Sequence, residues 1–376
     1  MSASAKLPLI AGIAGVGASL AAMASSTTLR SYMSRILGVS APGGVWRLIA
    51  LALAIVNFKN LPFMWHIRLF RGLVYQLYLQ PTPLPPHALF QPLITSTRSP
   101  LTECDYNLHK SNSTYFSDLD ISRTHLVTAL LREGIRRLSR SKTDAERAPG
   151  TEHIEKGAFA IALGGITCHF RREIKPYARF EIWTRLLCWD RKWLYLVSHM
   201  VRPGTAKPTA FSLQPWRRAR PGKSVHDIAA EEAEQLRETL KGAVFATSIA
   251  KYVVKKGRWT VPPERVLTNS GLLPPRPEDG EDGAAANGSA NGSANGSANG
   301  AATAPEQPQP VDGSYVLPAV TPGDDGEWTW EKIEAERLRG LKLAEHFAKL
   351  DGLHDEFNGG VDGALGEYSD MLTPFW

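Results

Sequence analysis

The sequence predicts an α+β fold in which one long central helix is wrapped by a curved antiparallel sheet. Three observations predict it. Phe116, Leu119, Leu126, Val127, Leu130, Leu131, Ile135 and Leu138 recur at threes and fours, with Arg123 interrupting the stripe, which is the spacing of a helix with one apolar face. From Phe159 to Val201 the spacing changes to alternation, with Ile166, Cys168 and Phe170 set against Thr167, His169 and Arg171. The helical pattern runs to about Arg140, and burying a helix of about 25 residues needs a sheet of about five strands.

In chain order, residues 1–80 come first and are basic and apolar. No acidic residue precedes Glu103, whereas Lys6, Arg30, Arg35, Arg47, Lys59, Arg68, Arg71 and Arg98 are positive. Leu7–Ala24 is an uncharged stretch of 18 residues, at the lower limit for a membrane span. Leu48–Val56 is more apolar but short, and Leu61–Arg71 mixes aromatics with Arg, which suits the headgroup level. The segment reads as a membrane anchor backed by an interfacial helix, with a membrane surface as its partner. A cleaved mitochondrial-type presequence is the competing reading. Basic residues after both apolar stretches place the following domain on the cytosolic side of an endoplasmic reticulum or mitochondrial membrane.

Residues 81–272 form the globular domain. Pro81–Pro86 is a stiff spacer, and Pro92–Thr102 feeds the first strand. Asn112, Ser113 and Thr114 are good N-cap types, so the central helix begins in this group. It ends among Arg132, Arg136, Arg137, Arg140 and Lys142, which complement the negative end of a helix. Phe180–Leu187 and Trp193–Val201 flank a hairpin turn at Trp189-Asp190-Arg191-Lys192. Residues 203–241 read as an insertion, with a basic loop at Trp216–Pro221 and a helix opened by Ser224 with Asp227 three on. Ala243–Val254 supplies the last strand. Residues 273–325 are a disordered linker in which Asn-Gly-Ser repeats from Asn287. Residues 326–376 are a helical tail: Trp330, Ile333, Leu338, Leu341, Ala344, Phe347 and Ala348 give Trp328–Phe357 one apolar face, which packs back on the core or binds a partner.

The net charge of +6 resides in the N-terminal segment; the rest of the chain has 35 basic residues against 37 acidic. That balance does not support a nucleic-acid partner for the folded part. Cys104, Cys168 and Cys188 have no paired spacing, so no disulfide framework, metal site or cofactor is expected.

The chemistry concentrates in Glu103–Tyr115. Asp105, His109, Asn112 and Tyr115 bring a carboxylate, an imidazole, an amide and a phenol to the helix start. Backbone N–H groups there polarise a carbonyl or hold an oxyanion. The order Asp105, His109, Asn112, Tyr115, Asp120, Arg123 resembles the first loop and central helix of the hotdog-fold acyl-CoA thioesterases of the 4-hydroxybenzoyl-CoA thioesterase type. Within that family it looks most like the eukaryotic branch with thioesterase superfamily member 6 and fungal biosynthetic-cluster thioesterases. The resemblance covers about residues 92–201 and 243–268, and the 203–241 stretch departs from the compact family pattern.

The resemblance implies a single hotdog that hydrolyses an acyl thioester, on coenzyme A or an acyl-carrier protein, to the free acid and thiol. It implies that Asp105 is catalytic, as general base or as nucleophile, and that the backbone at Asn112 takes the oxyanion. His109 and Tyr115 would orient water or the acyl chain. Arg171, Arg172, Lys255 and Arg258 are candidates for coenzyme A phosphates, together with Lys175 and Lys256. Asp120 and Arg123, three apart, read as an ion pair. Lys110-Ser111 stand where the branch carries an apolar residue and Asn, which bears on acyl specificity. One copy of the motif and room for one hotdog lead to the expectation of a homodimer that covers an edge strand and an open groove. The Ser224–Leu240 and Trp328–Phe357 helices are the alternative cover. Two other functions compete. Hotdog enoyl-CoA hydratases carry D-x-N-P-x-H, but here His109 is four after Asp105 and no Pro follows Asn107. A non-catalytic, membrane-tethered acyl-binding or scaffold protein is the third reading.

Overall fold

The computed structural model describes residues 26–38, 42–140, 157–205, 208, 210–217, 238–274 and 329–356. These fall into two compact units. One is drawn from Met1–Phe70, Arg98–Ser117 and Ile174–Ala178, the other from Arg71–Thr97, Asp118–Glu173 and Arg179–Trp376.

The first unit opens with helices α1 (Thr27–Leu37) and α2 (Gly44–Val56) and the start of α3 (Met64–Val74). The chain enters α2 through Gly43 at φ 83, a left-handed conformation that glycine adopts without a Cβ clash. The helix closes on Asn57, whose backbone N–H and side-chain Nδ2 both donate to the Leu53 carbonyl at 3.1 and 2.9 Å. Such bonds satisfy a carbonyl that a helix end otherwise leaves open.

The expected location at an endoplasmic reticulum or mitochondrial membrane is overturned, and the structure gives the membrane anchor no support. Among the described residues no helix is long and apolar enough to cross a membrane. The apolar run ending at Val56 yields a helix of only 13 residues, which is about 20 Å against a hydrocarbon core of about 30 Å. The Leu7–Ala24 stretch lies outside the described residues.

The second unit holds the sheet. Its strands are β1 (Leu93–Arg98), β2 (Phe159–Phe170), β3 (Arg179–Trp189), β4 (Trp193–Val201), β5 (Val244–Lys256) and β6 (Trp259–Val261). The order is β1-β3-β4-β5-β2, with β6 paired to β5. The β2–β5, β3–β4, β4–β5 and β5–β6 ladders are antiparallel. With the 29-residue helix α4 (Asn112–Arg140), this is the expected hotdog arrangement of central helix and antiparallel sheet. The β3–β4 turn is held by Asp190, whose Oδ1 accepts the N–H groups of Lys192 and Trp193 at 2.6 Å and whose Oδ2 accepts the Tyr195 hydroxyl at 3.0 Å.

A row of small polar side chains crosses the sheet under α4. Thr184 pairs with Ser198, Ser198 with Ser248 and Ser248 with Cys168 across four strands. The Ser122 hydroxyl of α4 lies 2.8 Å from that of Thr184, which lies 2.8 Å from that of Ser198. Further along, Leu126, Val127, Leu130 and Leu131 pack with Leu186, Leu194, Leu196 and Val254 into the main core.

Pro81–Pro86 is more than a spacer. Leu84 packs against that core, and Leu89 and Phe90 are buried in it, with Phe90 stacked on Trp189 at 6.1 Å. The Arg132 guanidinium reaches back to the carbonyls of Gln76, Gln80 and Thr82, which it clamps to α4. The basic end of the helix therefore does local structural work as well as complementing the helix dipole.

Helix α5 (Pro263–Asn269) follows the sheet, and helix α6 (Trp330–Ala348), with a 3-10 turn over Lys349–Glu356, packs back on it. Ala344 and Phe347 join Leu187, Cys188, Tyr195 and Val197. These strand positions alternate with those of the main core, so α6 covers the opposite face. Close approach requires Gly340, where a Cβ would stand 2.3 Å from the Leu187 carbonyl oxygen. Lys251, buried in β5, pairs with Asp351 at 2.5 Å. Leu338, expected on the apolar face, is instead exposed. Almost all of the expected Ser224–Leu240 helix and of the 273–325 linker lies outside the described residues.

His199 on β4 faces Trp183 and Thr247 on its neighbours. Burial, with Arg185 adding repulsion, pushes its imidazole down to about 4. A base depressed in this way contributes fully above its unfolded pKa of about 6.5 and loses that contribution as pH falls toward the folded value. Denaturant midpoints should therefore drop between pH 6.5 and about 4. In His199→Gln that slope should be shallower; an unchanged slope would remove His199 as its source.

Candidate active site

Asp105 sits in a tight turn built by its neighbours. Cys104 and Lys110 form an antiparallel bridge that brackets it. Inside the bracket the Asp105 N–H donates to the His109 carbonyl at 2.9 Å and the Leu108 N–H donates to the Asp105 carbonyl at 3.0 Å. Leu108 is left at φ 58, a left-handed conformation that a branched residue adopts only under constraint. The Asp105 carboxylate closes the turn. Its Oδ1 accepts the N–H of Asn107 at 2.9 Å and, at 3.4 Å, that of His109. Asp105 is thus a turn-former in the sense of an Asx turn, and the same bonds fix the direction of its second oxygen.

The helix start follows at once. α4 begins at Asn112, inside the group of capping residues that the sequence marks. Ser111 N–H donates to the Glu103 carbonyl at 2.7 Å, and Thr114 donates from its N–H and hydroxyl to the Ser111 carbonyl at 3.0 and 2.7 Å. The first N–H groups of a helix have no intrahelical partner; of these, that of Thr114 is turned back on Ser111, which leaves the Asn112 end as the stretch suited to an oxyanion.

Beneath the turn lies a buried ion cluster. Glu103 and Lys110 have side chains 3% and 0% exposed and meet at 2.5 Å. Lys59 approaches the same carboxylate at 2.7 Å and also donates to the Arg98 carbonyl at 2.9 Å. Asn57 adds an acceptor for the Thr102 N–H at 3.1 Å. The Lys110 ammonium stands 5.5 Å from the centre of the Tyr115 ring, so Tyr115, buried, packs under a cation. Lys110 also donates its N–H to the Ile174 carbonyl at 2.9 Å. Asp105, His109, Asn112 and Tyr115 are thus brought into one unit. His109 is half-buried and Asn112 exposed.

Lys175 belongs to the first unit; the other basic candidates lie in the second and are not brought together. Arg171 and Arg172 follow β2 and donate their N–H groups to the Phe245 carbonyl at 2.8 and 3.0 Å. The Arg172 guanidinium also binds the Gly242 carbonyl. Lys255 pairs with Ala160 at the far end of the same ladder, and Arg258 stands in the turn after Gly257. At the rise of a strand the two ends are about 30 Å apart. The Asp120–Arg123 ion pair is present at 2.5 Å. Arg123 is 1% exposed, its Nε donates to the Tyr252 hydroxyl at 2.8 Å, and its Nη1 finds no partner among the described residues. Among the described residues no cluster suited to a metal ion occurs.

The Glu103–Lys110–Lys59 cluster escapes a reading of sequence alone. One signal pointed toward it: Lys110 departs from the apolar residue of the resembled branch.

The match of residues 99–215 to the thioesterase-like superfamily model accords with this fold and loop. The chain belongs to that family: it is 36% identical over 318 residues to thioesterase poxG of Penicillium oxalicum, covering 83% of this chain and 86% of that protein. Probable thioesterase atnL of Emericella nidulans is 33% identical over 326 residues, covering 84% of this chain and 90% of that protein. Protein THEM6 of Xenopus laevis matches a shorter part, at 28% identity over 100 residues, 26% of this chain and 39% of that protein.

Removing one member of a buried ion cluster leaves the others less well compensated, here Glu103 with Lys59. Lys110→Met should lower the unfolding free energy by about 2–4 kcal/mol, and adding Glu103→Leu should restore much of the loss. Equal stability of the single and double variants in a denaturant titration would show that the pair does not hold the turn.

Proposed function

We infer that this chain hydrolyses an acyl thioester to the free acid and the thiol, with Asp105 as the catalytic residue. The observation that carries the reading is the Asp105 carboxylate fixed beside the start of α4 in a chain of the thioesterase-like superfamily. With Oδ1 committed to the turn, Oδ2 is the atom directed at the reaction. It either takes a proton from water as that water attacks the carbonyl carbon, or attacks the carbon itself. The second route expels the thiolate, leaves a mixed anhydride and needs water to split it. The developing oxyanion is met by backbone N–H groups at Asn112. His109, next to the carboxylate, orients water, and Tyr115 shapes the floor on which the acyl group lies.

The thiol portion is coenzyme A or an acyl-carrier protein. Phosphates of one coenzyme A reach either Arg171 and Arg172 or Lys255 and Arg258, given the length of the ladder between them. Turnover over a panel of acyl-CoA chain lengths tests the reading. Asp105→Asn keeps the size of the side chain and should lower turnover at least about a hundredfold. Undiminished turnover in that variant would sink the assignment. Single turnover in heavy-oxygen water tests the anhydride route: label enters Asp105 only when a mixed anhydride forms and water splits it at the Asp105 carboxyl carbon.

The working form is a homodimer. β2, at the end of the sheet order, is a 12-residue strand that presents Leu163 and Phe170 to solvent at 42% and 41% exposure. A long apolar edge is stable when paired or covered. Light scattering at micromolar concentration should give twice the chain mass. A monomer that still turns over would reject the dimer.

A further inference from the structure

We propose that the second unit carries a small-molecule site of its own, which takes an amphipathic carboxylic acid: the apolar body inside, the carboxylate on Arg217, and a hydroxyl of the body donating to Gln76. A cavity of about 450 Å³ opens between α4, the segment from Tyr75 to Thr95, Trp183 of β3, Pro208 and the stretch from Ala210 to Arg217. Small-molecule sites commonly span about 300–1,000 Å³. The walls are mainly apolar, with Leu84, Leu93, Leu126, Ala129, Leu130 and Trp183 among them. One wall is stiff, because Arg132 clamps the carbonyls of Gln76, Gln80 and Thr82. All described lining residues belong to the second unit.

Two polar groups define the ligand. Gln76 is 4% exposed and lines the cavity. Its Nε2 lies 3.3 Å from His125 Nδ1, and its Oε1 accepts no hydrogen bond from any described residue. Buried carbonyl oxygens are normally satisfied, so this one is matched to a donor from a ligand. His125 does not supply that donor: its Nδ1 faces the Gln76 amide nitrogen rather than Oε1, and burial, with Arg71 second, lowers its pKa. Arg217 supplies the second group. It is exposed yet lines the cavity, so it stands at the rim, and its guanidinium lies over the Phe211 ring at 4.4 Å. A guanidinium carries a planar fork of donors that matches a carboxylate. Among the described lining residues none is acidic. A neutral lipid-like molecule would leave Arg217 without a role, and a free phosphate would leave the apolar walls without one.

This proposal does not rest on the hydrolase reading, and its test needs no turnover. Calorimetric titration of the full-length protein uses decanoate, methyl decanoate and a set of hydroxydecanoates with the hydroxyl moved along the chain. Decanoate should bind about tenfold more tightly than its methyl ester. One hydroxydecanoate should bind about tenfold more tightly than decanoate. Arg217→Ala should erase the preference for acid over ester, and Gln76→Leu should erase the preference for the hydroxyl while decanoate still binds. Ala129→Phe should fill the cavity and abolish binding. Should that variant not fold, exposed Arg217 alone decides. Decanoate affinity unchanged in Arg217→Ala would overturn the site, and so would affinity unchanged in a folded Ala129→Phe, since binding then lies elsewhere. If no hydroxydecanoate outbinds decanoate, the assignment of Gln76 is wrong.

Discussion

The sheet tolerates a long helix because the row beneath that helix is small and polar. Ser122 reaches Thr184, and Thr184 reaches Ser198, through hydroxyls 2.8 Å apart. Small side chains let the backbones come close, and the Thr184 hydroxyl bridges those of Ser122 and Ser198, whereas the buried Ser248 hydroxyl finds no partner among the described residues. Leu126 to Leu131 then find their partners only because the helix is already at the right distance. A bulkier row would lift the helix and open the core along its length.

The first unit rests on a different principle. There a single carboxylate, Glu103, is met by two ammonium groups, and its own backbone carbonyl receives Ser111. Burying those charges is unfavourable unless the geometry is good. Here the arrangement specifies shape more than it adds stability. It brings the Lys110 ammonium over the Tyr115 ring and closes the bracket in which Leu108 is held at positive φ. Strain of that kind persists where its surroundings over-determine it. The orientation of Asp105 is an outcome of that over-determination.

How much of this was legible in the sequence follows the range of each interaction. The central helix, the alternating strands and the Asp190 turn are set by neighbours a few residues away, and periodicity reports them. The order from Asp105 to Arg123 is local too, and so is its helix start at Asn112. Lys59 meets Glu103 across 44 residues, and Arg123 meets Tyr252 across 129, so no local pattern carries either contact. The Pro81–Pro86 run looked like a tether because proline composition says nothing about what Leu84 and Leu89 touch. The apolar run from Leu48 reads as short, and the structure gives the local reason: Asn57 caps and ends the helix that begins at Gly44.

The docking of α6 has a consequence for how the chain is made. The outer face of the sheet, with Leu187, Tyr195 and Val197, is covered by Ala344 and Phe347, residues near the end of the chain. During synthesis the strands from β1 to β5 leave the ribosome well before their cover does, at about 5–20 residues per second. For several seconds the nascent domain holds a formed core on one side and bare apolar surface on the other. Transient exposure of this kind is where a chain meets chaperones or another copy of itself. The contact between Lys251 and Asp351 is thus also a late checkpoint: it forms only when translation has passed the point at which the sheet is complete.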